Sequence, residues 1–182
     1  MAKIGLTGTV SVGKTTLVNA LKELEQFKGY EIATERSKYL RDQGIALNTD
    51  STLKGQVVFA AERCLELMKE NIITDRTIYD VVAFTLSAKS INKFEKRHFF
   101  DLMLDLRNEY DVVIYVSPKG VDIENNGVRE TNADYRNEID EIIRELLAHH
   151  PPKKLIEISG TNTERINIIL RELNLEIQKT SR

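Results

Sequence analysis

The segment "GTVSVGKT" (8–15) places two glycines five positions apart and follows the second with a lysine and a threonine. It fits G-x-x-x-x-G-K-[ST] without deviation, the pattern of a loop that holds phosphate. The residue types explain why. Gly8 and Gly13 let the backbone take positive φ and approach a ligand closely. The N–H groups of Val10, Ser11, Val12, Gly13, Lys14, Thr15 and Thr16 then converge on an anion. The helix that begins there directs its unpaired N–H groups and positive dipole end at the same spot. Lys14 has the reach for β- and γ-phosphates, and the Thr15 hydroxyl suits Mg²⁺. The ligand expected is a purine triphosphate, with ATP and Mg²⁺ as the working pair.

Such a loop must join a strand to a helix, and the flanking residues supply both. "KIGLT" (3–7) reads as a buried strand and "KTTLVNALKELEQF" (14–27) as an amphipathic helix. Further strands are expected at 30–34, 71–75, 111–117 and 154–159. Helices are expected at 35–44, 51–70, 77–88, 92–109, 132–150 and 163–173. Gly44 is a good helix stop, and "DVVIYVS" (111–117) is the run richest in β-branched residues. Strands that alternate with helices indicate an α/β fold, a five-stranded parallel sheet sandwiched by helices. With no linker, repeat or low-complexity tract, residues 1–182 read as a single domain.

Bulk properties narrow the class. The net charge of −2 gives no overall basic field for nucleic acid. One cysteine, Cys64, excludes an internal disulfide and a cysteine-rich zinc site. A reducing, cytoplasmic setting is expected. No apolar run approaches the roughly 20 residues needed to span a membrane, and "MAKIGLTG" is not a signal peptide. No membrane partner is expected.

Several nucleotide-binding classes lose support. D-x-x-G, the mark of switch GTPases, is absent, and "NKFE" (92–95) is a poor match to their guanine-reading motif. The transporter signature L-S-G-G-Q is also absent, and there is no room for the larger core and helical lid domain of a ring-forming motor. A small phosphotransferase remains. "DRTIYDVVAF" (75–84) resembles the D-R-[Y/H/S]-x-x-S-x-x-A-[Y/F] pattern of thymidylate kinases and is related to the E-R-S motif of deoxyribonucleoside kinases. It departs in carrying Asp80 where the first pattern has serine. "DIENNGVRETNADYRNEIDEIIRELL" (122–147) is similar to the lid of nicotinamide-riboside-kinase-like small P-loop domains of bacteria and phages. Here Asn126 replaces the first acidic residue of that lid. The lid segment is placed at about 118–137. The resemblance runs in order along nearly the whole chain and implies the P-loop nucleoside/nucleotide kinase superfamily.

Candidate acceptor-side residues follow the strand ends, where ligands of parallel sheets gather. Asp75 closes its strand and could hold Mg²⁺ with Thr15; capping the next helix is its plainer role. Asp111 begins a strand and so lies at the wrong edge. The resemblance implies that Arg76 contacts the acceptor or its phosphate, a task suited to a planar guanidinium. Glu35 and Arg36 follow the second strand. By resemblance Glu35 takes the proton of the acceptor hydroxyl as general base and Arg36 helps bind the acceptor. Equally, Glu35 could serve the dipole of a first helical turn. Arg129 and Arg136 flank the lid, where an arginine arriving on closure would neutralise charge on the transferred phosphoryl group; an exposed loop arginine and a helical ion pair are the plainer readings. By resemblance, "ISGTNTER" (158–165) passes over adenine. "KFEKRHFF" (93–100) mixes basic and aromatic residues, as a nucleic-acid surface does and as an ordinary amphipathic helix does too. Cys64 is expected in the core.

The leading expectation is a kinase that moves the ATP γ-phosphate to a small nucleoside or nucleoside monophosphate, in deoxynucleotide metabolism of a phage or bacterium. One alternative keeps the chemistry and takes a polynucleotide or modified DNA base as acceptor. Another is a regulatory P-loop ATPase or switch. A homodimer is a further expectation, drawn from such families and not from this chain.

Overall fold

A computed structural model describes residues 2–34, 36–120 and 133–175. Five strands form one parallel sheet: β1 (Lys3–Thr7), β2 (Glu31–Ala33), β3 (Ile72–Thr74), β4 (Val112–Val116) and β5 (Leu155–Ile158). Their spatial order is β2-β3-β1-β4-β5. The helices are α1 (Lys14–Lys22), α2 (Ser37–Asp42), α3 (Leu53–Leu67), α4 (Ile78–Ser87), α5 (Lys93–Met103), α6 (Ala133–His149) and α7 (Asn162–Glu172). All five expected strands are present, and each expected helix has its counterpart. None of the helices described is long and apolar enough to cross a membrane.

The alternating direction of strand side chains divides the core in two. Val112, Ile114 and Val116 of β4 join Ile4, Leu6, Leu17, Leu21 and Ile169 on the face covered by α1 and α7. Val113 and Tyr115 join Tyr79, Val82, Ile139 and Ile143 on the face covered by α4 and α6. A strand covered on both sides has no polar face, which is why β4 reads "VVIYV" and is buried throughout. The central position of β1, hydrogen-bonded to β3 and β4, fixes the loop that follows it.

Differences from the sequence reading lie at element ends. The helix expected over 14–27 stops at Lys22, because Leu24 is extended (φ −85°, ψ 137°). A short 3₁₀ turn, Glu25–Phe27, then buries Phe27 edge-on to Tyr30. The span 92–109 divides into α5 and a 3₁₀ stretch, Leu104–Glu109. Gly44 does stop α2, with φ of +85°.

Gly5 lies in mid-strand for a packing reason. A Cβ there would come within 2.4 Å of Thr77 Cγ2 and 2.7 Å of the Tyr110 ring. Tyr110 is wholly buried, and burial pushes its hydroxyl pKa well up. Gly5→Ala is therefore expected to destabilise the fold by about 1–3 kcal/mol. Chemical denaturation should show this as a lower midpoint with an unchanged slope.

Candidate active site

The loop between β1 and α1 takes the backbone its glycines predict. Gly8, Ser11 and Gly13 all have positive φ, at 145°, 58° and 81°. A Cβ on Gly8 would lie 2.6 Å from the Val116 carbonyl oxygen at the end of β4, so only glycine fits. Gly13 caps α1 without any side-chain hydrogen bond, which leaves the first N–H groups of the helix to a ligand. Val10, Ser11 and Val12 are buried, and Thr16 is exposed on the first turn.

Two neighbours brace this loop from behind. Arg165 of α7 donates from Nη1 to the Val12 carbonyl at 2.8 Å, and burial lowers its pKa. Thr9 Oγ1 donates to the Arg136 carbonyl at 2.7 Å, tying the loop to α6. Arg136 itself is 8% exposed, so α6 carries it beside the loop.

Lys14 is 5% exposed. Its Nζ donates to the carbonyls of Gly8 and Thr9 at 2.5 and 2.7 Å, and stands 4.0 Å from Asp80 Oδ1. Thr15 Oγ1 donates to Asp75 Oδ2 at 2.5 Å. Asp75 follows β3 and is 1% exposed, at the carboxyl edge of the sheet. A hydroxyl beside a carboxylate is the hard-oxygen pair that Mg²⁺ takes at a phosphate loop. Asp111 lies at the opposite edge, where its Oδ2 accepts from Lys3 N at 2.9 Å. Among the described residues no cluster of three or more His, Cys, Asp or Glu could form an all-protein metal site.

Asp80 is where sequence reasoning fell short. Its serine-replacing carboxylate is fully buried. Its Oδ2 accepts from Thr77 N at 2.9 Å and from Thr77 Oγ1 at 3.0 Å. The pair forms a complete capping box at the start of α4. Its Oδ1 accepts from Arg76 Nη1 at 3.2 Å. One carboxylate thus lies between Lys14 and Arg76. The T-x-x-D spacing could have revealed the cap, but not the two cations.

Beside Thr15 and Val10 opens a cavity of about 330 Å³. Phe59, Phe84, Val81 and Leu47 supply apolar wall. Gln56, Arg63 and Arg76 supply polar groups. The Arg76 guanidinium lies 5.0 Å above the Phe84 ring centroid, a favourable cation–π arrangement. Gln56 and Arg63 are 3% and 2% exposed and belong to α3. Arg63 pairs with Glu66, whose pKa burial raises against the opposing Arg63 charge. Arg63 Nε has no partner among the described residues. Neither residue stood out in the sequence, where they belonged to an unremarked amphipathic helix.

Other expected positions fall differently. Arg36 is 55% exposed, pairs with Glu62 at 3.2 Å and stacks on Tyr39, outside the cavity wall. Ser37 and Lys38 beside it do line the cavity. Glu35 and Arg129 lie outside the described residues, as does most of the expected lid. Cys64 is half-buried and not in the core.

The sequence matches one family model, described as AAA domain, over residues 3–165. The chain belongs to this AAA domain family. No curated protein sequence matched it. Among solved structures, it is similar to deoxyadenosine kinase from M. mycoides with dCMP and dCDP bound, at 20% identity and a TM-score of 0.66. That match covers 94% of this chain and 98% of the kinase. It is also similar to the NadR protein in complex with NR, at 14% identity and a TM-score of 0.72. That match covers 98% of this chain but only 53% of NadR, so the chain spans about half the length of that protein. A second NadR structure, with NAD and AMP-PNP, gives a TM-score of 0.73 at 14% identity. At these identities the likeness establishes the fold, that of a P-loop kinase, which agrees with the superfamily resemblance read from the sequence.

Asp80→Ala removes one partner of a buried charge cluster and is expected to cost about 3 kcal/mol. A domain of this size would lose roughly 6–12 °C of Tm. Asp80→Asn should cost less, because an amide oxygen still accepts from Thr77. Thermal denaturation of the two variants checks this order.

Proposed function

We propose that this AAA domain protein is a kinase that transfers the ATP γ-phosphate to a hydroxyl of a nucleoside or nucleoside monophosphate. The observation that carries this reading is the shared wall. Val10 and Thr15 of the phosphate loop also line the apolar cavity, so an acceptor seated there meets the end of a triphosphate held by the loop. The cavity suits a base: aromatic walls for stacking and a buried amide, Gln56, for hydrogen-bonding its edge. The likeness to a deoxyadenosine kinase with dCMP and dCDP bound supports deoxynucleotide metabolism, and the single cysteine accords with a cytoplasmic setting.

The residues take roles accordingly. The loop N–H groups from Val10 to Thr16 grip the phosphates. Lys14 turns from the Gly8 and Thr9 carbonyls to phosphate oxygens. Thr15 and Asp75 would hold Mg²⁺, which would supply neutralisation of phosphate charge. The acceptor oxygen forms the new bond to phosphorus, the bond from phosphorus to the bridging oxygen breaks, and ADP leaves. Glu35 takes the acceptor proton. Arg76 and Arg63 orient the acceptor, with Arg36 at the cavity approach, and Arg129 and Arg136 meet the charge on the moving phosphoryl group. Most of the barrier is lowered by positioning and electrostatics.

Nothing specific favours a polynucleotide acceptor over a small one. In the basic-aromatic run on α5, Lys96 Nζ donates to the Leu86 carbonyl and Arg97 pairs with Asp101. A switch would not need an acceptor cavity beside the phosphate loop.

ADP release measured across nucleosides, deoxynucleosides and their monophosphates, with and without single-stranded DNA, tests the proposal. Turnover should depend on one free acceptor class. ADP release at the same rate without any acceptor would overturn it. Lys14→Ala should lower kcat by about 10³-fold. Gln56→Ala should raise the acceptor KM about tenfold or more while leaving ATP affinity unchanged. Arg76→Ala should impair a monophosphate acceptor far more than ATP binding.

A further inference from the structure

Arg165 sits where a cation is normally unwelcome. Thr161 and Glu164 form the capping box that starts α7, and Arg165 is the next residue. The positive end of the helix dipole disfavours a cation there. Burial adds to the cost. Arg165 is 5% exposed, and burial lowers its pKa with no carboxylate among the described residues opposing the shift. Glu164, its neighbour in sequence, is exposed, and its Oε2 accepts from Thr161 N and Thr161 Oγ1 at 2.7 and 2.8 Å. Two other buried cations of the site are matched differently: Arg63 has Glu66 and Lys14 has Asp80. Arg165 uses one nitrogen, Nη1, on the Val12 carbonyl at 2.8 Å. Its Nε and Nη2 are buried with no partner among the described residues. A buried charge so poorly matched is strongly destabilising unless a counter-charge completes it.

What the one bond does follows from peptide geometry. The Val12 carbonyl and the Gly13 N–H belong to one planar trans peptide and point in opposite directions. A guanidinium on the carbonyl oxygen therefore turns the Gly13 N–H away from α7, to the side where an anion is expected. It also polarises the peptide and strengthens that N–H as a donor. Gly13 is held at φ 81°, and a Cβ there would lie 3.3 Å from Arg165 Nη1. The arginine and the glycine are thus fitted to each other. Resting on the reading of this loop as an ATP site, we infer that Arg165 is a positioning residue for the polyphosphate tail of the donor nucleotide. It sets the Val12–Gly13 peptide for the anion, and the anion supplies the counter-charge that no described carboxylate provides.

Isothermal titration calorimetry of the full chain with inorganic tripolyphosphate and with Mg·ATP tests this, because neither titration needs an acceptor. Arg165→Met should weaken both about 10–100-fold. Arg165→Lys keeps the charge on a single flexible ammonium and should recover part of the loss. Arg171→Met removes the same charge from an exposed place on the same helix and should bind as the wild type does. A merely structural role would lower Tm and leave unchanged the Kd of the folded fraction, which the stoichiometry reports. That result would overturn the inference, as would equal losses in Arg165→Met and Arg171→Met. Should Arg165→Met fail to fold, the same titrations on Arg165→Lys decide, and wild-type affinity there would overturn it. A wild type indifferent to both ligands would overturn it together with the ATP reading. A wild type that binds both, loses them in Arg165→Met and phosphorylates no acceptor would support this role of Arg165 and defeat the kinase reading alone.

Discussion

An ammonium buried at the tip of the first helix must always have oxygen partners. Lys14 is nearly enclosed, and an unpaired cation there would cost several kcal/mol. Much of the site can be understood as the means of meeting that demand. The positive φ values at Gly8 and Gly13 turn loop carbonyls toward the ammonium as well as N–H groups toward a phosphate. The Asp80 carboxylate adds a negative charge within 4.0 Å. Under the proposed function, nucleotide binding would be an exchange of oxygens around a cation already in place, which would keep the reorganisation small.

Asp80 links that demand to the cavity wall through Arg76. Its capping hydrogen bonds hold the start of α4, and the same carboxylate holds Arg76. The arginine is fixed further by the Phe84 ring one turn beyond Asp80. Lys14 and Arg76 therefore share one anchor, set by a rigid helix start and not by a loop. Serine in this place could cap the helix but could not balance two cations. The departure from the thymidylate-kinase pattern is thus a change in local charge with the cap retained.

What could be read from the sequence was whatever depends on residue type at fixed spacing near in the chain. The phosphate loop, the strand ends at Thr7 and Asp75, and the alternation that forces a parallel sheet are all of this kind. The two-sided core followed from buried runs such as "VVIYV", whereas the strand order β2-β3-β1-β4-β5 is seen only in the structure. The cavity was not legible. Gln56 and Arg63 are polar residues in an amphipathic helix, and periodicity alone cannot say which face turns to a ligand. Nor could spacing reveal that Arg165, far along the chain, braces Val12. Arg36 was picked for following a strand, yet α2 begins at the next residue and carries it outward. Residues 35 and 129 lie outside the described structure, so their roles rest on resemblance.

An ordinary amphipathic helix turns apolar residues inward and polar residues to water, and α3 departs from that arrangement. In α3 the inward face holds Gln56 and Arg63 together with Gly55, Ala60 and Leu67, because it borders a mostly apolar cavity to which Gln56 and Arg63 supply polar groups. The outward face is left with Val57, Leu65 and Met68. The cavity wall and the exposed side chains of α3 are two consequences of one pattern.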